Sequence, residues 1–121
     1  LTANDEVKKV ALFAFNGDFK CFAHVLLNAL DMKAKGYDVK VVIEGSATKL
    51  VPEMARQGSS TYPLYEKAKQ AGLIDAVCRA CAWEGKVLAS IEEEGLPLAD
   101  EMSGHPSMGR YMDAGYRILI F

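Results

Sequence analysis

The sequence predicts a three-layer α/β/α sandwich built on a mainly parallel sheet of about five strands. Short runs rich in Val, Ile and Leu alternate with stretches of helical periodicity. The runs are almost continuously apolar, as strands covered on both faces must be. The first run, the helix after it and the second run follow at the spacing of a right-handed βαβ unit with parallel strands. The 121 residues read as one domain, 1–121, without internal repeat, low-complexity tract or linker. A chain of this length buries roughly two-thirds of its unfolded surface and needs no disulfide or metal to hold a core.

The elements follow in order along the chain. Segment 7–15, VKKVALFAF, becomes apolar after Lys9 and forms the first strand, broken by NGD. Asp18 caps a helix whose Phe22, Val25, Leu26, Ala29 and Leu30 recur at helical spacing, and Gly36 stops it. YDVKVVIEG supplies the second strand, ended by Gly45. Two helical stretches come next, around 48–57 and within LYEKAKQAG, separated by the breaker GSSTYP. LIDAVCRA is a third strand running into Cys78, and a helix over about 84–94 sets Val87, Leu88 and Ile91 on one face. LPLAD is a weak fourth strand. Ser107 caps a short helix bearing Met108, Tyr111 and Met112, and YRILIF closes the sheet.

Composition narrows the function classes. Half the residues are apolar, a quarter are charged and the net charge is −2, the balance of an ordinary globular protein. The lack of a Lys/Arg cluster excludes direct nucleic-acid binding, which requires a basic face. No apolar run approaches the ~20 residues that span a bilayer, and LTANDEVKK has no signal-peptide core, so a cytoplasmic protein without membrane contact is expected. NGDFK lacks the glycines of a P-loop or dinucleotide fingerprint, no G-x-S-x-G elbow occurs, and no cofactor is expected. IEEEG reads as a solvated helix end.

The chemistry gathers on three cysteines, Cys21, Cys78 and Cys81. An odd count argues against a secreted disulfide framework. Cys78 falls at the carboxyl end of the third strand, the edge where parallel α/β sheets collect reactive groups, and Cys81 follows three residues later. A free thiol with a pKa near 8.5 is only about 3 per cent thiolate at pH 7. A helix start and the Arg79 guanidinium beside Cys78 would both lower that pKa, with Glu84 acting against them. Cys21 lies in the first turn of the first helix, also at the carboxyl edge, and would share a pocket with Cys78 if strands one and three were neighbours. His105, in the loop SGHPS, is an acid, base or anion partner for a thiol. Two other readings stand beside this one. Buried cysteines pack as small hydrophobes, which would leave a non-catalytic oligomeric binding or redox-sensing protein of the same fold, and Cys21, His24, Cys78 and Cys81 together have the ligand types of a structural Cys3His zinc site. The Cys-x-x-Cys spacing also suits thioredoxin-like domains, but those carry it early in the chain behind an aromatic, whereas Val77 precedes it here.

VALFAFNGD with AHVLLNALDMKAKGYDVKVVIEG, the strand-end cysteine in VCRACA, and the closing MGRYMDAGYRILIF resemble the small sulfur-relay proteins of the DsrE/DsrF type, including TusD-like sulfurtransferase subunits. The resemblance spans nearly the whole chain. It implies a parallel α/β sandwich, assembly as homotrimers or homohexamers, and a sulfur carrier that holds a persulfide on one cysteine after the third strand and exchanges it with donor and acceptor proteins through their thiols. That cysteine matches Cys78, and Cys81 matches a second cysteine that some members have. Persulfide transfer proceeds by thiol exchange and needs no cofactor. Trp83, Met102, Met108, Tyr111 and Met112 exceed what one small core absorbs, which points to a homo-oligomer with some of them at the interface.

Overall fold

In a computed structural model, described for residues 6–121, five parallel strands form one sheet in the order β4-β3-β2-β1-β5. The opening LTAND, part of the segment read above as lacking a signal-peptide core, lies outside those residues. The strands are β1 (Lys9–Ala14), β2 (Asp38–Ile43), β3 (Ile74–Cys78), β4 (Leu98–Ala99) and β5 (Arg117–Ile120). The helices are α1 (Phe19–Ala34), α2 (Val51–Met54), α3 (Tyr62–Gln70), α4 (Arg79–Glu84), α5 (Leu88–Glu93) and α6 (Met108–Asp113), with a 3-10 helix over Gly45–Leu50. Among the described residues no helix is long and apolar enough to cross a membrane.

Local chemistry sets the boundaries. The Asp18 carboxylate accepts hydrogen bonds from the backbone N–H groups of Lys20 and Cys21, which otherwise lack partners at the start of α1. After α1, Gly36 takes a φ of +89°, where a side chain would be strained. Ser107 caps α6 by accepting from Arg110 N–H.

Winding decides which face each helix covers. The chain steps from β1 through β2 and β3 to β4 in one direction, then crosses back over the sheet to place β5 on the far side of β1. Right-handed crossovers put α1 to α5 on one face and α6 alone on the other. The cores agree with this. Val10, Leu12, Val41, Ile43 and Val77 pack beneath Phe22 and Leu26 of α1, Met54 of α2, Tyr65 of α3, Ala82 of α4 and Ile91 of α5. On the reverse face Ala11, Phe13, Val42 and Ala76 pack with Tyr111 of α6.

Three elements depart from the sequence reading. The helix expected over about 84–94 is shorter, α5 over Leu88–Glu93, and a separate helix, α4 over Arg79–Glu84, precedes it and takes in Arg79 and Ala80 from the end of the run read as the third strand. The break falls at Gly85, Lys86 and Val87, where Lys86 has a φ of +60°. Helix α4 begins at Arg79, directly after the strand, where the Cys78 sulfur caps it. The stretch expected to be helical over 48–57 divides into the 3-10 helix and the four-residue α2. Tyr111 is buried in the reverse core rather than free for an interface, and Met108 is partly buried there. Trp83, Met102 and Met112 are exposed, at 72%, 57% and 62%.

Candidate functional site: a dithiol–imidazole–carboxylate cluster

In a parallel sheet all carboxyl ends lie along one edge, so residues just after neighbouring strands meet there. Glu44 follows β2, Cys78 ends β3, and the segment after β4 carries His105. These strands are adjacent, and Cys81 joins them from the first turn of α4. One ligand atom from each of Glu44, Cys78, Cys81 and His105 lies within 4.8 Å of the other three. The His105 Nδ1 is 3.1 Å from the Cys78 Sγ and 3.8 Å from the Cys81 Sγ.

Backbone contacts hold this arrangement. The Cys81 N–H points at the Cys78 Sγ at 3.4 Å, while Ala80 N–H donates to the Gly104 carbonyl at 2.8 Å and fastens the His105 loop to the start of α4. The same carbonyl lies 3.7 Å from the Cys78 Sγ. Met102 and His105 exchange backbone hydrogen bonds, so the loop closes on itself. Gly104 has a φ of +92°, and a Cβ there would meet the Ala80 Cβ at 3.0 Å. Glycine is therefore required on two counts, conformation and close approach.

Cys78 has 0% exposure and Glu44 only 6%, while Cys81 and His105 are half-buried. Cys81 lines an open cleft of about 270 Å³ together with Gly45, Ser46, Lys49, Glu84 and Gly85. Burial pushes the Cys78 thiol up to about 12, helped by the neighbouring Cys81 thiol and the Glu44 charge and opposed by the Cys81 N–H. In place of the lowered pKa predicted from a helix start and Arg79, Cys78 is a sheltered, protonated thiol; Arg79 itself is exposed. Burial likewise raises the Glu44 carboxyl above the usual carboxylate range, against the pull of His105.

The other sequence candidates fall apart in space. β2 separates β1 from β3, so the condition under which Cys21 would share a pocket with Cys78 is not met. Cys21 and His24 are both exposed on α1, and neither belongs to the cluster. The Cys3His set of the sequence reading is therefore not assembled, and the residues that meet are Cys78, Cys81, His105 and Glu44. Glu44 was missed in the sequence, although an acidic residue closing the buried run VVI and preceding a glycine was the available signal.

Fold and site together define a parallel α/β domain with a thiol–imidazole cluster at the carboxyl edge of its sheet. The chain belongs to the family of the uncharacterized protein MJ0733 of Methanocaldococcus jannaschii, with which it is 34% identical over 96 residues, 79% of this chain and 76% of that protein. An uncharacterized protein of Archaeoglobus fulgidus is 40% identical over 52 residues, covering 43% of this chain and 84% of its own length. Among solved structures, the conserved protein of unknown function BT1422 from Bacteroides thetaiotaomicron matches with a TM-score of 0.70 over 93% of this chain and 95% of its own, at 19% identity, a likeness of fold. No protein-family model matches the chain.

Proposed function

We propose that the protein is a sulfur carrier of the DsrE/DsrF type, a sulfurtransferase that accepts sulfane sulfur on Cys81 from a donor protein and passes it to an acceptor thiol. The observation that supports this reading is the paired placement of the thiols: Cys81 faces an open cleft, and Cys78 is buried beside it with His105 Nδ1 near both. The resemblance assigns the persulfide to Cys78, but a sulfur atom without exposure offers a donor no line of attack. The accepting role therefore passes to Cys81.

His105 takes the Cys81 proton in the tautomer whose Nδ1 is free. The Cys81 thiolate then bonds to the outer sulfur of a donor persulfide, the donor S–S bond breaks, and the donor leaves as a thiolate. Attack by an acceptor thiolate on that outer sulfur regenerates the Cys81 thiolate, with no net oxidation. Cys78 provides a second outcome. Its sulfur attacks the Cys81 sulfur, forms an internal disulfide and expels the carried atom as hydrogen sulfide, which turns a carrier into a redox-responsive protein. Lys49 lines the cleft and supplies positive charge for an incoming persulfide anion. Donor and acceptor proteins engage through their thiols, and the resemblance extends to assembly as a homotrimer or homohexamer.

The test is intact mass after incubation of reduced, metal-free protein with a persulfide donor. Wild type gains one sulfur, Cys21→Ser behaves as wild type, Cys81→Ser gains none, and Cys78→Ser keeps the adduct longer because the internal disulfide cannot form. No adduct on wild type, or an adduct that survives Cys81→Ser, rejects the proposal.

A further inference from the structure

The cluster has a capacity that sulfur carriage does not use. Cys78 Sγ, Cys81 Sγ, an imidazole nitrogen of His105 and a Glu44 oxygen come from three separate segments at the carboxyl edge, yet all lie within 4.8 Å of one another. Tetrahedral zinc with bonds of about 2.3 Å to sulfur and 2.0–2.1 Å to nitrogen requires a sulfur–nitrogen separation of about 3.6 Å. The two separations here, 3.1 and 3.8 Å, bracket that value. The donor types also belong together, since two thiolates and an imidazole select zinc-like transition metals over magnesium or calcium.

We infer that Glu44, Cys78, Cys81 and His105 form a binding site for one divalent transition-metal ion of the zinc type. This goes beyond the sulfur-carrier reading and does not depend on it. The surroundings are those of a ligand set. The Cys81 N–H directed at the Cys78 Sγ stabilises a metal-bound thiolate. The Gly104–Ala80 contact fixes the loop that brings His105 to the two sulfurs. Burial disfavours a free thiolate and a free carboxylate, and a dication placed among them compensates both charges while the two thiol protons leave to solvent. Metal and carried sulfur compete for the same Cys81 Sγ, so the metal-loaded form does not accept sulfane sulfur.

Titration of reduced, metal-free protein with Co²⁺ as a probe for Zn²⁺ tests the inference. One equivalent per chain is expected, with thiolate-to-cobalt charge-transfer absorption and the visible bands of a four-coordinate site, all displaced by one equivalent of Zn²⁺. His105→Asn and Cys81→Ser, both at half-exposed positions, are expected to weaken binding at least tenfold, while Cys21→Ser and His24→Asn leave it unchanged. Glu44→Gln retains the sulfur charge-transfer band and alters the visible bands. Absence of the charge-transfer band in folded wild type, or binding that follows Cys21 and His24, overturns the site. The mass assay reads sulfur on metal-free protein, so cobalt binding without a sulfur adduct removes the carrier reading alone, and an adduct without cobalt binding removes the metal site alone.

Discussion

Tyr111 illustrates how single side chains hold the thinly covered face of the sheet. Its ring packs edge-on against Phe13, with centroids 5.3 Å apart, and the Arg110 guanidinium lies 4.5 Å above it. The buried hydroxyl donates to an Asp75 carboxylate oxygen at 2.5 Å, and Asp75 also pairs with Lys40 at 3.4 Å. Nearby, Tyr116 donates to Asp38, while the Lys9 and Lys40 ammonium groups lie over its ring. Polar tips thus find charged partners while the aromatic bodies complete the core. Tyr111→Phe keeps the packing and removes one hydrogen bond to a charged acceptor. The expected loss is about 1–2 kcal/mol in urea unfolding with an unchanged slope, toward the lower end because Lys40 still satisfies Asp75. An unchanged midpoint would show that the hydroxyl contributes nothing to stability.

Helices α3 and α5 are joined by one carboxylate. Glu94, immediately after α5, accepts from the Tyr65 hydroxyl at 2.5 Å and from the Lys69 ammonium at 3.1 Å. Burial acts to raise the Glu94 pKa, but these two donors and the Lys69 charge outweigh it and hold the group below its ordinary 4.5. A carboxyl whose folded pKa is depressed stabilises the fold above the unfolded value and loses that contribution as pH falls through the folded one. Wild type is therefore expected to exceed Glu94→Gln in stability at neutral pH, with a gap that stays level down to about pH 5 and closes below 4.5. A gap that widens on acidification would contradict the assignment; chemical unfolding at a series of pH values measures it. Glu94 shows what the sequence conceals at this scale. EEEG reads as a solvated helix end because periodicity sees only the local face, and the partner Tyr65 is 29 residues away. Strands and caps were legible for the opposite reason: the apolar run over 10–14 and Asp18 before α1 act within a few residues. The candidate site was half legible. Cys78, Cys81 and His105 are chemically conspicuous, whereas Glu44 and the exclusion of Cys21 depend on which strands are neighbours. Exposure of Cys78 was hidden too, since it depends on the loop after β4 folding over the strand end.

Across the whole molecule the two faces of the sheet are covered unequally. Five helices lie over one face, and the six-residue α6 covers the other. β1 and β2 each have a neighbour on both sides, and their side chains from Val10 to Ala14 and from Val41 to Ile43 are buried. Among the described residues β5 pairs only with β1, and it exposes Leu119 and Ile120, while β4 is two residues long. Stability is correspondingly graded, because local opening costs least where few apolar contacts are lost. In dilute solution the amides of β1 and β2 are expected to exchange slowest, at the rate of global unfolding, with those of β4, β5 and α6 exchanging through smaller openings. Amides of β5 as slow as those of β1 in a monomer would refute this gradient. The assembly proposed from the resemblance has a separate signature. The sole tryptophan, Trp83 on α4, is exposed, and so is Met102 beside the His105 loop. Association through that side is expected to add protection to α4 and to segment 100–107, and to shift the Trp83 emission to the blue as concentration rises. β1 and β2, already limited by global unfolding, gain protection only as far as assembly stabilises the whole fold. Sedimentation that finds only monomer at micromolar concentration would exclude the assembly and leave the gradient across the sheet intact.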